Sequence, residues 1–177
     1  MTKPKAFPLS KVYQLLEPGP VVMLTTMAKD RPNVMTMSWH MMLDFEPPTL
    51  ACVVGEGGCT FGVLRKTREC VVAIPDRRLA SKVVRVGNTH GGAIDKFKAF
   101  GLTPVAASVV GAPLIAECFA NLECKVIDFQ RKYDLFVLEV VKAWIDPAKK
   151  NPKTIHHCGY GRFVVDGAHI ALKSRMR

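Results

Sequence analysis

The chain has 177 residues, of which 49% are hydrophobic, enough to bury a core and too apolar for intrinsic disorder. No apolar run reaches the roughly 18 residues that span a bilayer, and "MTKPKAFPLSK" has charge but no apolar stretch behind it, so the sequence predicts a cytoplasmic protein without a membrane segment. The formal charge of +10 is spread in pairs such as Arg65–Lys66, Arg77–Arg78 and Lys149–Lys150, a weak nucleic-acid signal that fits phosphorylated small molecules or simply a solvated surface.

Leu9, Val12, Leu15 and Leu16 have the spacing of a short helix face, and "EPGP" at 17–20 stops it. A strand is predicted over Val21 to Ala28 and a turn over Lys29 to Asn33. The stretch "NVMTMSWHMMLDFEPPTLACVV", Asn33 to Val54, then predicts one strand, a break at Glu46–Pro47–Pro48, and a second strand. Gly55 to Thr60 is a glycine-rich loop leading to a short helix, and "ECVVAIP" a further strand. Leu79 to Val86 is predicted helical, Gly87 to Gly92 loop, and Ala93 to Phe100 a helical turn or two. Ala120 to Lys132 and Tyr133 to Asp146 are two long strands, joined as a hairpin. The tail "HHCGYGRFVVDGAHIAL" adds one short strand. Strands dominate without alternating with long helices, so a mainly β fold, an antiparallel barrel with peripheral helices, is expected over one domain of residues 1–177, with its core at about 20–146 and a tail at 147–177.

Four segments carry groups that chemistry could use. The three glycines of 55–60 let backbone approach a ligand. Thr60 is placed to cap the following helix, whose N-terminus favours an anion, with Arg65 within reach; on the residues alone an ordinary capped turn is the simpler reading. Along Met35 to His40, alternation puts Thr36, Ser38 and His40 on one strand face, either against a planar ligand or toward solvent with Trp39 in the core. "NTHGGAIDKF" offers Asn88, Thr89, His90 and Lys96. His156 and His157 are adjacent on an extended segment and so point to opposite faces. They line a pocket or the surface, and do not share a metal. The six cysteines, Cys52, Cys59, Cys70, Cys118, Cys124 and Cys158, contain no C-x-x-C pair and are expected as reduced thiols, with no metal site.

These pieces in this order resemble the flavin reductase-like family, whose fold is the FMN-binding split β-barrel. The resemblance rests on "NVMTMSWHMMLDFEPPTLACVV", Thr60 at a helix start, "ECVVAIP", "DKF" at 95–97 and "ANLECKV" at 120–126, and "HHCGYGRFVVDG" resembles the flavoredoxin branch. The resemblance implies FMN as cofactor. Thr36, Met37, Ser38 and Trp39 would line the isoalloxazine ring, mostly through backbone. Cys52, Val53, Val54 and Gly55 would run beside ring and ribityl chain. Thr60 would hold the phosphate with Arg65, Asn88, Thr89 and His90 would close over the cofactor, and Lys96 would be a second phosphate contact. The family position before the threonine is often bulky or aromatic, and here it is Cys59.

The resemblance further implies a homodimer, and hydride transfer from NADH or NADPH to flavin N5, then onward to a free flavin, a ferric complex or a protein. The protein itself needs no catalytic acid, base or nucleophile. His156 or His157 would help receive the nicotinamide. The rival readings are an FMN electron carrier reduced by a protein partner and, more remotely, a basic barrel that binds nucleic acid. The 14 aromatics sit mostly inside apolar runs, which argues against the last.

Overall fold

The computed structural model describes residues 3–92, 94–173 and 175. In chain order its elements are β1 (Lys5–Ala6), α1 (Tyr13–Leu16), β2 (Val22–Ala28), β3 (Arg31–Met37), β4 (His40–Phe45), β5 (Pro48–Val53), α2 (Cys59–Thr67), β6 (Glu69–Ile74), α3 (Ala80–Gly87), α4 (Lys96–Phe100), β7 (Pro104–Val105), β8 (Leu114–Ile115), β9 (Ala120–Gln130), β10 (Leu135–Ile145), β11 (Ile155–His157) and β12 (Phe163–Val165). Short 3-10 turns precede α1 and α3 and join β9 to β10. The fold is mainly β and antiparallel, as the sequence leads one to expect.

The main sheet pairs in the order β3-β2-β6-β9-β10-β5-β4, with β1 added to β10. Its end strands, β3 and β4, are joined directly by Ser38 and Trp39. Three Cα steps reach at most about 11 Å, so the sheet must curl until its two edges meet at that corner. They do not pair, and the gap between them is the split of the barrel. The predicted single strand through Met35–His40 is therefore corrected: the chain changes sheet partner at Ser38–Trp39, from β2 to β5. Thr36, Ser38 and His40 do not share one strand face.

Alternation decides which side chains fill the barrel. Val22 and Leu24 of β2, Cys70, Val72 and Ile74 of β6, and Leu122, Cys124 and Val126 of β9 point inward, with Leu64 of α2 and Leu16 of α1 plugging the ends. Phe61 meets Phe129 and Phe136 edge-to-face and the latter two are tilted on each other, with centroids 4.5 to 5.8 Å apart. Each such burial stabilises by about 1.5–3 kcal/mol. A second core lies outside the barrel wall, where Val83 and Val86 of α3 and Phe97 and Phe100 of α4 cover Met23, Val34 and Ala73. That cover explains why β2 and β6 are apolar on both faces.

The turn between β2 and β3 is only Lys29–Asp30, both at positive φ, in the manner of a two-residue hairpin. Pro32 and Asn33, expected in the turn, belong to β3, where a proline is tolerated because β3 is an edge strand. The tail forms a β11–β12 hairpin, two strands where one was expected. Of the helix expected over Ala93 to Phe100, only Lys96–Phe100 forms, and Ala93 lies outside the described residues.

Candidate functional site

Two adjoining cavities open along the outer side of β3. The first, about 310 Å³, takes Asn33, Met35 and Thr36 from β3, Val54–Gly55 from the end of β5, Gly58–Thr60 from the start of α2, residues 86–91 from the end of α3 and its loop, and Lys96 from α4. The second, about 500 Å³, adds Val21, Ser38, Val83 and Val84, and from the tail hairpin His157, Tyr160, Gly161 and Phe163. They share Thr36, Gly87 and Asn88, so they form one trough of a size that suits a cofactor.

The narrow end of the trough is built for an anion. No side chain caps the N-terminus of α2, so its first N–H groups face the cavity without intrahelical partners. Thr60 is not the expected cap. Gly58 holds that position, and Thr60 stands one residue inside the helix, 2% exposed. Its Oγ1 accepts from Asn33 Nδ2 at 3.1 Å, and its own O–H has no acceptor among the described residues. Lys96 is 5% exposed, and its Nζ donates to the Val34 and Val86 carbonyls at 3.0 and 2.9 Å. The described residues place no carboxylate against it, and none lines the cavity. Burial lowers the Lys96 pKa, an effect Cys59 partly opposes. A buried ammonium held only by two carbonyls has one donor left and a strong preference for an anionic neighbour.

The loop over this end is pinned by close backbone approach. A Cβ on Gly91 would lie 2.2 Å from Asn33 Oδ1, so only glycine lets the loop reach β3 without displacing the Asn33–Thr60 bond. Arg31 adds bonds to the Gly91 and Gly92 carbonyls at 3.5 and 3.4 Å.

The predicted site residues divide. Thr36, Val54, Gly55, Thr60, Asn88, Thr89, His90 and Lys96 line the first cavity, and Ser38 and His157 the second. Thr36 Oγ1 donates to Val83 O at 2.6 Å, and Thr89 Oγ1 to Arg85 O at 2.8 Å, so both hydroxyls have only lone pairs to offer a ligand. Met37 and Cys52 send their side chains into the barrel core, and Val53 lines neither cavity. Trp39 is 72% exposed at the corner beside Ser38, not in the core. Arg65 does not reach the anion end. It lies five positions past Thr60, about 140° round the helix, and its guanidinium stacks over Phe129 at 5.1 Å and Phe61 at 5.8 Å. His156 turns away to the Gly19 carbonyl and Thr154. His40 bonds Pro20 O at 2.7 Å, and burial holds its pKa down against that bond, so the neutral ring donates there. Asn33 and Gly91 are cavity-lining residues to which the sequence reading gave no role. An Asn among the apolar residues of a strand is the one signal that pointed to either of them.

Comparison with known proteins identifies the family. The family model of the flavin reductase like domain matches residues 15–163. The chain is 33% identical to the uncharacterized protein YddH of Escherichia coli (strain K12), over 92% of this chain and 94% of the relative. The FMN-binding domain of a flavin reductases-like enzyme from Shewanella baltica OS155 superposes with a TM-score of 0.91 at 28% identity, covering 97% of this chain and 98% of that one. The flavoredoxin of Desulfovibrio vulgaris (Miyazaki F) superposes at 0.79 with 23% identity, over 87% and 90%, and so shares the fold. Fold and family match agree: the chain belongs to the flavin reductase-like domain family.

Proposed function

We propose that the trough binds FMN, with the phosphate at the α2 N-terminus and the ring against the Thr36–Ser38 end of β3, and that the protein accepts a hydride from NADH or NADPH and passes electrons to a small-molecule or protein acceptor. One observation carries the reading: the buried Lys96 ammonium, with two carbonyls and no carboxylate, beside an uncapped helix N-terminus. The similar Shewanella baltica domain is described as FMN-binding, which supports the choice of anion.

Each residue then has a task. Thr60 Oγ1–H and the first N–H groups of α2 donate to phosphate, with Lys96 Nζ behind them. Asn33 holds Thr60 in orientation by its 3.1 Å bond. Gly55 admits the ribityl chain close to backbone. Asn88, exposed and shared by both cavities, covers the junction of chain and ring. His157, packed on Phe163 at 5.3 Å, faces the wide end where a nicotinamide would enter. When bound, FMN supplies the hydride-accepting chemistry, and the protein supplies position and charge.

Thr60→Ala is expected to weaken FMN binding by about 1–3 kcal/mol, since it removes a neutral donor to a charged oxygen. Unchanged affinity by fluorescence titration would take Thr60 out of the phosphate site. The reductase reading is tested by adding NADH and NADPH separately to the FMN-loaded protein without oxygen. Rapid loss of the oxidised flavin bands is expected with one of them. Bands that persist with both would contradict hydride transfer and favour the carrier reading.

The edge strand β4 supports a homodimer. Met41, Leu43 and Phe45 are 61%, 49% and 55% exposed, and with Trp39 they make an apolar stripe on an unpaired edge. A second copy is the occupant that fits a stripe continuous with Ser38 at the cavity rim. Leu43→Glu is expected to raise the dimer Kd about a hundredfold in light scattering. A variant as dimeric as wild type would remove β4 from the interface.

A further inference from the structure

Cys59 opens α2 and lines the anion end of the trough, partly buried. Its Sγ lies 3.7 Å from both ring nitrogens of His90. The Gly92 backbone N–H donates to His90 Nδ1 at 3.2 Å, which holds the ring against the sulfur. The uncapped helix N-terminus, the His90 ring and the Lys96 ammonium line the same end as this accessible thiol. Positive charge and partial charge beside an accessible thiol draw an anionic disulfide to it. The same end holds two nearly buried side chains, Thr60 and Lys96, each with a donor unused by the protein, so an anionic group beside Cys59 is welcome there.

The other cysteines differ. Cys52, Cys70, Cys118 and Cys124 are fully buried, and burial pushes the Cys52 thiol up to about 12 and Cys118 upward as well. Cys158 is exposed, but its Sγ faces only the His156 carbonyl at 3.6 Å. It is an internal control, being accessible without the activating neighbours.

We propose that Cys59 is a covalent modification site that exchanges with small anionic disulfides, and that the adduct and the FMN phosphate exclude one another. The exclusion rests on the FMN reading, whereas the reactivity of the thiol does not. In the exchange, the Cys59 thiolate attacks one sulfur of the disulfide. The new S–S bond forms as the old one breaks, and the departing thiolate takes up the proton that Cys59 released. Cys59 is oxidised, the disulfide is reduced, and no other oxidant is required. The adduct places carboxylates where the phosphate would lie, so the disulfide state of the surroundings would set how much protein can load its cofactor.

The test uses the full chain, reduced and freed of FMN, with oxidised glutathione as the probe and peptide mass mapping as the readout. Cys59 is expected to react about tenfold faster than Cys158 or more. His90→Gln is expected to slow Cys59 and leave Cys158 unchanged. Saturating FMN is expected to protect Cys59 alone, and the adduct to block FMN uptake until a thiol reductant removes it. Equal rates at the two cysteines, or no effect of His90→Gln, would overturn the modification site. FMN bound with undiminished reaction at Cys59 would overturn the exclusion. A reduced protein that takes up no FMN overturns the FMN reading and the exclusion with it; the rate ratio and the His90→Gln effect then decide the modification site by themselves.

Discussion

Lys96→Met is expected to weaken FMN binding by about 2–3 kcal/mol, on the order of a hundredfold in Kd, while the protein stays folded. The two effects separate because Lys96 is costly to the protein without its ligand. The residue is 5% exposed, and among the described residues its ammonium is answered only by the Val34 and Val86 carbonyls. Methionine keeps the length and removes the desolvated charge, at the cost of one donor to each carbonyl. These terms oppose one another, so the Tm of the FMN-free protein should move by a few degrees at most. FMN would meanwhile lose a charged donor to its phosphate, a loss with nothing to offset it. A titration of both proteins with FMN, beside their thermal melts, gives the two numbers. Full FMN affinity in the variant would mean that Lys96 serves the fold and not the ligand.

Glu123→Gln is expected to cost about 3–5 kcal/mol of stability, or roughly 10 °C in Tm for a chain of this size. Glu123 is 0% exposed on the outer face of β9, under the loop between β7 and β8. Its carboxylate accepts from Ser108 N and Oγ, Val109 N, Val110 N and Trp144 Nε1, at 2.6 to 3.1 Å. Burial alone would push its pKa up, and the bonds from Ser108, Trp144, Val109 and Val110 outweigh that and hold it below the ordinary 4.5. Glutamine turns an NH₂ group toward N–H donors, which leaves buried donors facing a donor. The pH dependence follows from the depressed pKa. The stabilisation is complete above the ordinary carboxylate value and is lost as the pH falls through the folded value. Wild type and variant should therefore differ fully at neutral pH and converge in acid below 4.5. Melts that differ equally at all pH values would contradict the role of the charge.

Glu123 also shows where the sequence is readable and where it is not. In "ANLECKV" the alternation places Leu122, Cys124 and Val126 inward, and the structure agrees. The same alternation puts Asn121 and Glu123 on the outer face, where local pattern says solvent. Both are buried, because residues 104–115 fold back over them, and Asn121 pairs with both backbone groups of Ile115 like a strand partner. A non-local cover leaves no mark in a seven-residue window.

The Ser38–Trp39 corner is illegible for a related reason. Residues 38 and 39 leave the strand for only two positions, with no glycine or proline to mark the break. Arg65 misled because sequence distance suggested reach, whereas its place round the helix put it over Phe129. Thr60 lines the cavity from inside the helix and not from its cap, and Lys96, which the sequence offers as a phosphate contact or as a solvated lysine, is buried. What the sequence did carry was the order of strands and the gathering of the 55–60 and 88–96 segments at one cavity.

The central claim is that the narrow end of the trough holds a phosphate. It is tested most directly by titrating the FMN-free protein with FMN and with riboflavin, which has the same ring and ribityl chain and no phosphate. FMN is expected to bind about a hundredfold more tightly or better, because only FMN meets Thr60, Lys96 and the α2 N-terminus with charge. Equal affinity for the two would contradict the site.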